Sequence, residues 1–120
     1  MELTYKEIQE LHKELWTWIS KNPEHNFKGD WFRWKRNGGD IENCRINCFA
    51  CDFMHKYFLC CAIKGCPIIW SPITSYKKAF CIPSIFSEYT DAGLKKEWKK
   101  AAILALKIAN LPWREEKELL

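Results

Sequence analysis

Cys48-Phe49-Ala50-Cys51, followed by Cys61 and then Cys66-Pro67, is the stretch that decides how this chain folds. A C-x2-C step lets two thiolates reach one ion while the turn between them offers backbone N–H groups to the sulfurs. A second close pair completes the tetrahedron that zinc prefers. The full spacing here is C-x2-C-x9-C-x4-C. Cys48, Cys51, Cys61 and Cys66 are therefore the expected ligands of one structural zinc ion, and four thiolates leave no open position for water or substrate. The alternative is a set of buried, reduced cysteines packing as small apolar groups, and for Cys44 and Cys81 taken singly that alternative is favoured. A thiol–disulfide role for Cys48 and Cys51 would need a βαβ setting, which the surrounding pattern lacks.

Chain geometry constrains the second pair. Were residues 52–60 one straight helix, Cys51 and Cys61 would stand about 15 Å apart along its axis. That is too far for one ion bonded to each sulfur at about 2.3 Å. The chain must then reverse between His55 and Leu59, or Cys61 is not a ligand. Cys60 competes with Cys61, because adjacent residues rarely serve one tetrahedral site. Cys44, Cys81 and His55 remain further candidates.

On either side of this region the periodicity is helical. Thr4 and Glu7 have the spacing of a capping box, and Ile8, Leu11, Leu15, Trp18 and Ile19 make one apolar stripe, which predicts a helix over residues 4–20 ended by Asn22-Pro23. A second helix is predicted over residues 91–109, capped by Thr90 or Asp91. Leu94, Trp98, Ala101, Ala105 and Ile108 would lie on its buried face, and Lys95, Lys96, Lys99 and Lys100 off it. Asn110 and Pro112 close it, and Trp113 to Leu120 reads as a frayed turn. Asn37-Gly38-Gly39-Asp40 is a strong turn signal. In and just after the cysteine-rich region at 44–81, Pro67, Pro72 and Pro83 argue for loops and short pieces. The expected fold is mainly α with irregular or small β content. It forms one zinc-stabilised domain over residues 1–120, with two long helices flanking a cysteine-rich zinc knuckle at 44–81.

Composition narrows the function classes. The start of the chain carries no basic segment followed by an apolar run, and no window is apolar for the length of a membrane span, so a cytoplasmic location is expected. Seven cysteines in a reducing compartment read as metal ligation rather than a disulfide framework. No phosphate-binding glycine loop and no H-E-x-x-H is present, so no enzyme is expected. Seven Trp and seven Phe exceed what a small core usually uses. In Trp31-Phe-Arg-Trp34-Lys-Arg36, rings alternate with basic groups. Such a segment either stacks on single-stranded nucleic acid or anchors in a protein pocket, or else packs its rings on the core. The net charge of +4, gathered in the second half, permits an acidic protein or nucleic-acid partner.

Taken together, Leu11-His-Lys-Glu-Leu-Trp-Thr-Trp18, Cys48-Phe-Ala-Cys51, Cys66-Pro-Ile-Ile-Trp70 and Ile108-Ala-Asn-Leu-Pro112 resemble a group of small proteins of clostridial phages and prophages. That group shows a C-x2-C, a second close cysteine pair ending in Cys-Pro, an aromatic soon after and a helical tail. This chain departs from it by widening the second pair to Cys61-x4-Cys66. Some small zinc-containing phage proteins of this kind are anti-CRISPR inhibitors. The resemblance therefore implies a phage protein that binds a host defence protein, a Cas9-type effector, by surface contact. On that reading Trp31, Arg33 and Trp34 are candidate contact residues, with Lys95, Lys96, Lys99 and Lys100 at the rim. The other function class is a small zinc module that binds nucleic acid and regulates phage genes.

Overall fold

The structure is a computed structural model that describes residues 3–24, 28–43, 48–57, 66–70 and 85–119. These are mainly helical. Extended pairing among them is limited to two isolated bridges, Trp34 with Ile41 and Ile68 with Trp113.

Helix α1 spans Tyr5–Lys21. Its start is the expected capping box: the Glu7 amide donates to Thr4 Oγ1 at 3.1 Å, and the Thr4 amide donates to Glu7 Oε1 at 3.0 Å. Two N–H groups that the first turn leaves unpaired are thereby satisfied. The helix ends at Asn22, whose amide donates to Ile19 O and whose side chain donates to Trp18 O, just ahead of Pro23. Ile8, Leu11, Leu15, Trp16 and Ile19 are buried, while Trp18 is half-buried at the margin of the stripe.

Helix α2, Phe49–Tyr57, packs on α1. Its residues Phe49, Ala50, Phe53 and Met54 are buried; Phe53 meets Tyr5 of α1, and Phe49 meets a compact turn built from residues 28–43. In that turn the Trp31 and Trp34 rings meet edge to face at 5.2 Å, and Trp34 stacks on Phe49 at 5.2 Å. Trp34 Nε1 donates to Lys28 O at 2.6 Å. Lys35 and Ile41 tie the two ends of the turn through Lys35 N to Ile41 O and Ile41 N to Arg33 O. The glycine pair makes this reversal possible. Gly38 sits at φ +95, and a Cβ on Gly39 would drive into the Arg33 backbone.

The C-terminal half differs from the single helix expected over 91–109. Helix α3, Ile85–Leu94, ends before Lys95, and helix α4, Trp98–Ala109, starts after Glu97. Thr90 and Asp91 lie inside α3 rather than capping a helix, and Leu94 is exposed rather than buried. The break satisfies its own backbone: Lys96 N donates to Gly93 O and Glu97 N to Ala92 O. It requires Lys96 to take the left-handed conformation at φ 57. Helical periodicity carries no mark of this stop, because the residue in the left-handed position is lysine where glycine or asparagine usually stands. A side chain there costs about 1 kcal/mol. Lys96→Gly is accordingly expected to raise stability by roughly 0.5–1 kcal/mol in urea unfolding.

Helix α4 lies against both α1 and α3. One polar contact crosses the α1–α4 interface. His12, buried in the core, bonds through Nε2 to Ile108 O at 3.1 Å, so the ring is the neutral tautomer with Nε2–H donating. Burial pushes its pKa down to about 4. The unfolded chain therefore takes up this proton first, near pH 6.5, and stability is lost as pH falls from there toward 4. The expected contribution is about 3 kcal/mol, read as the difference in urea midpoints across that range between the protein and His12→Gln, which keeps an N–H donor.

The tail is more ordered than a frayed turn. Ile69 N donates to Pro112 O and Arg114 N to Pro67 O, each at 2.8 Å, so the Cys66–Trp70 segment is zipped to the chain after α4. Tyr5 locks the same place from α1, donating its hydroxyl to Arg114 O at 2.7 Å.

Candidate metal centre

Cys48 stands immediately before α2, and Cys51 is on its first turn. The Cys51 amide donates to Cys48 Sγ at 3.4 Å, and the Asp52 amide to Cys48 O at 3.0 Å. Cys48 thus caps the helix with sulfur in the place where serine or aspartate would use oxygen. Both cysteines are half-buried. The hydrogen bond with the Cys51 thiol holds the Cys48 thiol protonated well above its usual range. Burial and the proximity of Cys51 act in the same direction, and Lys28 pulls weakly the other way. A bound cation would reverse that balance at Cys48, favouring the thiolate it could coordinate. The N–H to sulfur bond is the support a thiolate ligand needs from its turn. The pair therefore fits one half of a zinc site.

Cys66 is placed differently. It is buried, and Trp70 Nε1 donates to its sulfur at 3.2 Å. Among the described residues no group of three or more Cys, His, Asp or Glu side chains is placed to hold a metal ion. Cys44, Cys60, Cys61 and Cys81 lie outside the described residues. α2 remains helical through Tyr57, so no chain reversal occurs between Cys51 and that residue. His55 falls on this helix, and only its backbone is described.

The aromatic–basic segment resolves into core and surface. Trp31 and Trp34 are 0% exposed, so neither ring is available to a partner, and their place as contact residues is corrected to the core. The exposed ring is Phe32, between them, at 59%. Arg33 is engaged within the chain, with Nη1 2.7 Å from Glu14 Oε2 and Nη2 3.4 Å from Asp40 Oδ1. Lys95, Lys96, Lys99 and Lys100 are all exposed.

Two surface features went unread in the sequence. Carboxylates of Glu7, Glu10, Glu14, Asp40, Glu42 and Asp52 line a cleft of about 850 Å³ together with Arg33 and Lys56. The net positive charge of the chain conceals this acidic face, because its members come from α1, α2 and the turn between them. The second feature is on α4, where Ile103 and Leu106 are 52% and 47% exposed.

Comparison with known proteins finds no matching family model, no matching curated protein and no matching solved structure. None of these comparisons supports the likeness to clostridial phage proteins. No described helix is long and apolar enough to cross a membrane.

Proposed function

We propose that this chain is a zinc-stapled binding protein that works by covering a surface of another protein, and that its target is a CRISPR effector nuclease of the Cas9 type in the bacterial cytoplasm. The observation that carries the metal half is the Cys48–Cys51 pair at the head of α2, with the Cys51 amide directed at the Cys48 sulfur. Zinc there would be held by these two thiolates and completed by Cys66 or by Cys44, Cys60, Cys61 or Cys81. Its contribution is cross-linking, since it ties a short nine-residue helix to a segment distant in the sequence. The reading gives the zinc no catalytic part.

The partner half draws on the likeness to small phage proteins and on the character of the surface. Inhibition by contact needs no catalytic group. It needs a patch with apolar residues at its centre and charge at its rim. The lysines around the α3–α4 turn oppose a nucleic-acid-mimicking mechanism at that face, because a surface that replaced phosphates would be acidic. The test mixes the protein with purified Cas9-type nuclease and guide RNA, then measures complex formation and target cleavage. A stable complex with suppressed cleavage is expected. The nucleic-acid reading is favoured by the exposed lysines Lys95, Lys96, Lys99, Lys100 and Lys107. It would replace the first if cleavage were undiminished and the protein alone bound DNA or RNA with a steep salt dependence.

A further inference from the structure

We propose that the outward face of α4 is a docking surface for an acidic, amphipathic protein segment. The inference rests on the protein-binding reading and narrows it to one face. Helix α4 buries Ala101, Leu104, Ala105 and Ile108 against its neighbours. A helix that served only this core would be polar on its opposite side. Instead Lys99, Ile103 and Leu106, at i, i+4 and i+7, run down that side, and both aliphatic residues are about half exposed. Lys99, Lys100, Ile103 and Lys107 line a shallow depression of about 570 Å³ whose surface is mostly apolar, and Leu106 extends the apolar face outside that lining.

Charge complementarity sets the occupant. Lys99, Lys100 and Lys107 make no ion pair among the described residues, and the only carboxylate lining the depression is Glu97. The occupant must therefore bring acid to the rim and an apolar side chain to the centre. A nucleic acid would satisfy the lysines but set Ile103 and Leu106 against a phosphate backbone. A membrane would take two aliphatic side chains, too little apolar area for stable insertion. A helix bearing leucines at i and i+4 between glutamates meets both requirements, and helix-in-groove recognition reads just such anchors.

The test titrates the whole, isotope-labelled protein with a short synthetic helical peptide of leucine and glutamate, and with the same peptide carrying lysine for glutamate. Amide shifts should centre on residues 99–107, and the glutamate peptide should bind at least about tenfold more tightly, with an affinity that falls as salt rises. Ile103→Asp with Leu106→Asp should weaken binding at least about tenfold with only a small fall in melting temperature, because both side chains are about half exposed. The proposal is overturned if the glutamate peptide binds elsewhere or not at all, or if the double variant binds it as well as the parent. It is also overturned if phosphatidylserine vesicles or a single-stranded DNA oligonucleotide hold this face more tightly, or if sedimentation shows a dimer that buries Ile103. Loss of nuclease binding with retention of the peptide on α4 would sink the target assignment and leave this surface standing. Nuclease binding unmoved by the double variant would do the reverse.

Discussion

Cys48→Ser or Cys51→Ser is expected to strip zinc from the protein and lower its melting temperature by roughly 15 °C or more. Either serine removes one thiolate from the pair at the head of α2, and Cys48→Ser also removes the sulfur that accepts from the Cys51 amide. The consequence spreads because α2 carries Phe49, Phe53 and Met54 into the same core as the Trp31–Trp34 turn. A short helix of nine residues has little stability of its own, so its place depends on packing and on whatever ties its first turn. Cys66→Ser separates two possibilities. If Cys66 is a ligand, the metal is lost with it. If it serves as a core sulfur accepting the Trp70 indole bond, zinc stays and stability falls by only about 1–2 kcal/mol. Calorimetry and metal analysis of the three variants, side by side, decide the ligand roles. A Cys48→Ser protein that lost zinc and still melted like the parent would refute the structural role.

Trp34→Ala should cost about 4 kcal/mol, seen as a shift in the urea midpoint, or as failure to fold if total stability is near the usual lower range. The indole is fully buried between Trp31 and Phe49, so its removal leaves a cavity that the surrounding turn cannot close. It also abandons the Lys28 carbonyl, which accepts from the indole N–H at 2.6 Å. Phe32→Ala, two residues away but exposed, should change stability by less than about 0.5 kcal/mol. Equal, small effects at both positions would show that the Trp34 ring is not a core element.

These residues also show what the sequence reveals and what it hides. Helix α1 was readable almost to the residue because its cap, its stripe and its Asn22-Pro23 stop are all local signals. The alternation of rings and cations in residues 31–36 left core and surface equally open. Burial there is decided by Phe49 of α2 lying across both tryptophans, a contact no local pattern encodes. The split between α3 and α4 was invisible because its left-handed residue is Lys96, and because Leu94 and Trp98 keep a helical apolar spacing across the break. The pairing of residues 67–69 with 112–114 joins segments far apart in the chain, so it could not be foreseen from either one. Of the proposed metal site, the C-x2-C step is a local signal, with Cys48 just before α2 and Cys51 on its first turn. The partners that complete the tetrahedron depend on how distant loops return to that turn, and spacing alone does not fix this. The acidic cleft is hidden for the same reason, since carboxylates scattered over three segments cancel in the net charge and add up only in space.

The central claim is the zinc staple, and X-ray absorption at the zinc edge on protein purified from zinc-supplied cells tests it most directly. One zinc per chain, with a first shell of sulfur at about 2.3 Å, is the expected result. Protein free of zinc, or zinc surrounded mainly by oxygen and nitrogen, would contradict it.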